Sequence, residues 1–110
     1  MAQDARIPVL FGQPPGPDDT VLLEEGLEPP ATGHLLGFTT ALPGHMPGCS
    51  CCVARSPAAT ALAAAFRARA TGTVPYFTRL LVLASPTGQL DIEAALEEDA
   101  LCRARFRRAM

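Results

Sequence analysis

Three of the chain's four cysteines, Cys49, Cys51 and Cys52, crowd into four consecutive positions within GCSCCVARS at residues 48–56. Thiolate is the soft ligand that holds Zn²⁺, Cu⁺ or iron–sulfur clusters. In a tight turn Cys49 and Cys51 can aim the same way, and Cys52 can join them once the chain bends into a helix. A helix N-terminus nearby would lower the thiol pKa and favour the thiolate that a metal needs. Three sulfurs leave a tetrahedral ion one ligand short. His45, His34, an acidic side chain, water or a partner could supply it, and of the two histidines only His45 lies close in sequence. The competing reading is that these are small buried residues, as free cysteine often is. One cysteine would be core by default, but three in four positions favour metal or redox chemistry. A strained vicinal Cys51–Cys52 disulfide ranks third, and the distant Cys102 reads as structural.

The rest of the chain must position that cluster. At 110 residues it is one small domain, with 48% apolar residues, too many for a solvated coil. A net charge of −2 argues against nucleic-acid binding by a general basic field. Basic residues do gather in RARFRR (Arg103, Arg105, Arg107, Arg108), where the solvated face of an amphipathic helix is the expected reading. The start, MAQDARIPVL, lacks the regions of a signal peptide, and no stretch approaches the ~20 apolar residues that span a bilayer. A soluble cytoplasmic protein with reduced thiols is expected, without membrane or nucleic-acid partners.

Local signals place the elements. Arg6 to Phe11 reads as a buried strand, and Gln13 to Asp19 (QPPGPDD) as a loop. Thr20 to Gly26 (TVLLEEG) reads as a brief helix with a threonine cap and a glycine stop. Residues 27 to 48 are loop-rich, with a short strand around Leu35 to Thr40. Ser56 is a good N-cap, Pro57 suits the first turn, and Ala58 to Ala70 is helix-forming throughout, with Gly72 to end it. Leu62 and Phe66 share a face. Arg79 to Ala84 is a continuous apolar run typical of a strand buried on both faces. SPTGQ then turns the chain, and Asp91 caps a helix from Ile92. The apolar phase slips between Leu96 and Leu101, predicting two short helices, Ile92–Glu97 and Asp99–Arg108. This order predicts an α/β fold with parallel pairing.

At this point the residues resemble a family. GCSCC is similar to the GCxCC motif of the CobW-type metallochaperone GTPases, relatives of the HypB and UreG nucleotide-binding proteins. The similarity continues through the Ala58–Ala70 helix, TVPYFTRLLVLA, SPTG at Ser85–Gly88, Asp91 and DALCRARF at Asp99–Phe106, about sixty residues from Gly48 onward. The amino-terminal part resembles the family's Ile-Pro-Val strand and G-x-x-x-x-G-K-[ST] phosphate loop, here IPVLF and GQPPGPDDT. With Gly12 at the first glycine, Pro17 falls at the second, Asp18 at the lysine and Asp19 at the magnesium-binding hydroxyl. Proline removes an N–H and two aspartates repel phosphates. SPTG also lacks the family's glutamate.

The resemblance implies a truncated, three-layer P-loop-NTPase-like α/β fold on a small, mostly parallel sheet, as a single domain over residues 1–110. Residues 1–26 would be the degenerate phosphate-loop region, 27–47 loop-rich, and 48–110 the GCxCC motif with its α/β segment. It further implies a metal protein with Cys49, Cys51 and Cys52 on Zn²⁺ (or Co²⁺) and with GTP binding and hydrolysis not expected. Expected partners are the metal ion, an intact GTPase homologue or a metalloenzyme client, and a second copy of the chain. The alternatives are a residual GTPase, a thiol redox or protein-interaction module, and a poorly folding gene fragment. The interval before the cysteines is shorter than the family's, which predicts exposed sheet edges.

Overall fold

The structure, a computed structural model, describes residues 5–40 and 56–109. Five strands form one sheet: β1 (Ile7–Phe11), β2 (Thr20–Glu24), β3 (His34–Phe38), β4 (Leu80–Leu83) and β5 (Phe106–Arg108). Three helices complete the fold: α1 (Pro57–Thr71), α2 (Pro86–Glu98) and α3 (Ala100–Arg105). The sheet order is β3-β2-β4-β1-β5, and every pairing is parallel. The α/β class read from the sequence is the one observed.

Handedness sorts the connections between the two faces. A parallel crossover is almost always right-handed, so connections that step along the sheet in opposite directions pass over opposite faces. β3→β4 and β4→β5 step the same way, and they carry all three helices. Accordingly α1 packs on both α2 and α3, and α2 and α3 reach β5. Against them the sheet presents Ile7, Val9, Leu22, Phe38, Leu80 and Val82. Each large aliphatic side chain fully buried there is worth about 1.5–3 kcal/mol over its exposed state.

β1→β2 and β2→β3 step the other way and have no helix. Successive side chains alternate between faces, so Val21 and Leu81 point away from the helices. Both are nevertheless fully buried while standing outside the main core cluster. Proline-rich chain covers this side. The Thr32 hydroxyl donates to the Pro15 carbonyl at 2.8 Å, tying the two crossovers together. A Cβ at Gly33 would come within 3.2 Å of Val21 Cγ2 and 3.5 Å of Pro15 Cβ. The described cover on this side is therefore irregular chain with turns, not helix. The first crossover spans residues 12–19, irregular chain that ends in the turn at Gly16 to Asp19.

The helices follow their caps. Ser56 Oγ accepts from the Ala59 N–H at 3.1 Å to start α1, and Gly72 ends it in the left-handed region at φ 80°. The face that α1 buries is mostly alanine (Ala58, Ala59, Ala63, Ala65) around Leu62, which lets the helix lie close on the sheet. Phe66 is half-buried and meets Phe106 edge-on, with ring centroids 6.1 Å apart.

Three expectations are corrected. TVLLEEG does not form a helix: Thr20–Glu24 is β2, hydrogen-bonded between β3 and β4 with Thr20, Val21 and Leu22 inaccessible. A short apolar run suits either state, and pairing on both edges decides it. The helix assigned to Ile92 starts earlier, at Pro86, because Ser85 is its cap and accepts from the Gly88 N–H. Asp91 lies inside that helix. Finally, Asp99 does cap a second helix through the Leu101 and Cys102 N–H groups, but the helix stops at Arg105. Phe106–Arg108 then joins the sheet beside β1, so Arg107 and Arg108 stand on an edge strand.

One polar group is out of place in this core. Thr20 is fully buried, and its Oγ1 has no hydrogen-bond partner among the described residues. Leaving a buried hydroxyl unpaired costs about 1–3 kcal/mol. Thr20→Val keeps the shape and removes that cost, so it is expected to raise the thermal midpoint by several degrees in a circular-dichroism melt.

Candidate functional site

The sequence places its ligands in one segment, and Cys49, Cys51, Cys52 and His45 all lie outside the described residues. That segment joins β3 to α1. Its flanks are described: Phe38 and Thr39 line a common cleft with Pro57, Thr60 and Ala61, so the end of β3 and the start of α1 adjoin. Beside Ser56, a second cleft between α1 and α2 is lined by Asp91, Glu98 and Asp99. His34 starts β3 at the sheet's other end, and its backbone N–H donates to the Asp19 carbonyl at 2.8 Å. Among the described residues, no group of three or more His, Cys, Asp or Glu could hold a metal ion. Cys102 is buried under α1, its Sγ 3.7 Å from the Ala59 carbonyl oxygen.

The residues aligned with a phosphate loop do not gather around one point. Gly12 ends β1, with its N–H bonded to the Val82 carbonyl at 3.1 Å. From there the chain descends to the amino-terminal end of the sheet, where Gly16 to Asp19 form a turn. Asp19 N–H donates to the Gly16 carbonyl at 3.2 Å, and Gly16 N–H donates to Asp19 Oδ2 at 2.8 Å. Pro17 and Asp18 are exposed on that turn. No helix follows, because β2 begins at Thr20.

Asp19 meets Arg79, which immediately precedes β4. Arg79 Nε donates to Oδ1 at 3.0 Å and its NH2 group to Oδ2 at 2.8 Å, a bidentate pair. The Arg79 hydrogen bonds, helped by the Gly16 N–H, hold the Asp19 carboxyl below the ordinary aspartate range; the pair also raises Arg79. Asp19 can gain from the arginine without binding any ion.

A different cluster occupies the carboxyl ends of the strands. In an open α/β sheet, ligands bind where neighbouring strands send their connections to opposite faces. β2 and β4 are one of three such neighbouring pairs among the described strands, with β3 and β2 and with β4 and β1. Glu24, the last residue of β2, reaches across the β2/β4 crevice: its Oε1 accepts from the Ser85 N–H at 3.0 Å and the Ser85 hydroxyl at 2.7 Å. Ser85 Oγ in turn accepts from the Gly88 N–H at 3.1 Å. A Cβ at Gly88 would collide with Glu24 Oε1, so glycine there makes room for the carboxylate. Glu24 and Arg79 were missed in the sequence: their partners are 61 and 60 residues away, and no local pattern signals such pairs.

No family model, curated protein or solved structure matches the chain.

Two predictions follow from these contacts. Asp19→Asn removes a carboxylate whose folded-state pKa is depressed, so its contribution is full above the unfolded aspartate value of about 3.9. It is lost as pH falls through the lower folded value. The urea midpoint of Asp19→Asn is expected to lie slightly below the parent's at neutral pH, screened by salt because Arg79 is exposed. The gap closes on acidification below pH ~4. Separately, Gly88→Ala gains helix propensity of up to ~1 kcal/mol but displaces the Glu24 carboxylate. A double-mutant cycle should find Gly88→Ala neutral or harmful in the parent and more favourable by about 1 kcal/mol in a Glu24→Ala background.

Proposed function

We propose that this chain is a metal-binding protein in which Cys49, Cys51 and Cys52 hold Zn²⁺, with Co²⁺ able to replace it. The observation that carries the reading is the cysteine cluster itself: three thiols within four positions, with four residues between Cys52 and the helix that starts at Pro57. Soft thiolates in that number select zinc-like ions, and a helix N-terminus near them would favour the thiolate. The fourth ligand would come from His45, a carboxylate, water or a partner. Asp91 and Glu98 line the cleft next to Ser56, where the cysteine-bearing segment rejoins the described chain.

The role that fits is storage, transfer or regulation of metal, in a reducing compartment such as the cytoplasm. An intact GTPase homologue, a metalloenzyme client or a second copy would be the protein partner, and the resemblance to CobW-type GTPases supports that class. Nucleotide hydrolysis by this chain is not part of the proposal. The phosphate loop works by converging backbone N–H groups and a lysine on one anion. Here Gly12 and Asp19 stand at opposite ends of the strands, and Asp18 takes the lysine's position in the motif.

A Co²⁺ titration of the reduced protein, followed by ultraviolet–visible spectroscopy, tests the reading. Thiolate charge-transfer and tetrahedral d–d bands are expected, displaced by Zn²⁺ and absent from a Cys49→Ser/Cys51→Ser/Cys52→Ser variant. No bands at micromolar metal would remove the metal reading and leave a thiol redox module in its place.

A further inference from the structure

The arginines near the end of the chain gather on a strand edge instead of one helix face. Arg107 and Arg108 stand on β5, at the edge of the sheet, and Arg105 closes α3 just before it. We propose that this edge is a docking site for an acidic extended peptide, which adds to the sheet as a strand beside β5.

The backbone supplies the pairing groups. The Ala109 N–H donates to the Val9 carbonyl at 2.9 Å, and Val9 lies opposite Arg108. In a parallel ladder this register turns the Arg107 N–H and carbonyl toward β1, so those of Phe106 and Arg108 point outward. The Phe106 N–H is taken by the Cys102 carbonyl. That leaves the Phe106 carbonyl and both backbone groups of Arg108 on a side where no strand lies among the described residues. An incoming strand finds one donor and two acceptors there, the main-chain contacts that strand addition uses.

Charge selects the strand. The protein carries a net charge of −2, yet β1, α3 and β5 contain no acid. Exposed Arg6 donates to the Arg103 carbonyl at 3.3 Å, which brings another guanidinium beside exposed Arg103. Arg105 lies over the Phe66 ring at 4.4 Å, and Arg108 meets Glu93 of α2 at 3.4 Å, both on the helix side. Phe106 is buried in the helix-side core, so alternation sends Arg107 to the other face. Cations therefore flank the edge on both faces and complement an acidic strand. Two copies pairing through this edge would bring arginine face to face with arginine, which is destabilising. Charged side chains protect an edge in this way, so the same residues turn away a like edge and admit an acidic one. The cysteines take no part, and the proposal holds whether or not the thiols bind metal.

The test titrates the full ¹⁵N-labelled chain with two blocked hexapeptides, one alternating glutamate and threonine, the other lysine and threonine. The glutamate peptide is expected to shift the Arg108 and Ala109 amides and to slow hydrogen exchange at Arg108. Its binding should weaken as sodium chloride is raised and be at least about tenfold tighter than that of the lysine peptide. No shifts at millimolar peptide, or equal binding of the lysine peptide, overturns the proposal. So does equal binding of an N-methylated glutamate peptide, which cannot pair as a strand. Oligothymidylate that reproduces the shifts and the slowed exchange would mark a general polyanion surface and overturn it as well. Shifts of the β5 amides on dilution of the protein alone would make a second copy the occupant, with the same result. Arg105→Gln/Arg108→Gln is expected to bind the glutamate peptide roughly tenfold more weakly, and unchanged affinity counts against the proposal. If that variant does not fold, the peptide comparison on the parent decides.

Discussion

The structure depends on β4 lying between β1 and β2. Those two strands do not pair with each other, and both take their register from Leu80–Leu83. A central parallel strand is covered on both faces, so it must be apolar along its length. In this chain the polar groups wait at its two ends. Arg79 grips Asp19 below, and Ser85 grips Glu24 above. Both grips join β4 to β2, which fixes that pair at both ends while the middle contributes only ladder hydrogen bonds and apolar contacts.

The right-handed rule then explains an asymmetry of composition. Proline and glycine crowd the first half of the chain, and alanine the second. The second half holds the connections that step toward β5, and these are helices packed by small residues. The first half holds the connections that step back, where irregular proline-rich chain takes the place of helices. Proline suits this work because it fixes an open conformation without needing a hydrogen bond.

Much of this was legible in the sequence, for physical reasons that differ by element. β1 and β4 were readable because their apolar runs are bounded by clear breakers, and α1 because Ser56, Pro57 and Gly72 mark both its ends. Ser85-Pro86 repeats the same start signal, but SPTG also has the composition of a turn, which hid the first turn of α2. β2 and β5 could not be settled locally. TVLLEEG takes its state from His34–Phe38 on one edge and from Leu80–Leu83, about sixty residues on, at the other, and FRR from Ile7–Val9, about a hundred residues back. The candidate site divides in the same way. The metal reading of the cysteines rests on spacing alone, whereas the separation of Gly12 from Asp19, and the joining of Glu24 to Ser85, exist only once the sheet has formed.

The order of the strands also bears on how such a chain emerges from a ribosome. β2 and β3 are neighbours in sequence and in the sheet, so they can pair early. β1 precedes the other described strands and has no partner among them until β4 and β5 are made, from Leu80 onward. Until then an apolar strand whose two described partners are unmade must wait, a condition that invites association with other chains. The proline-rich stretch just behind it is well suited to that interval. It joins no ladder, and it keeps the waiting strand from extending into a longer, stickier one.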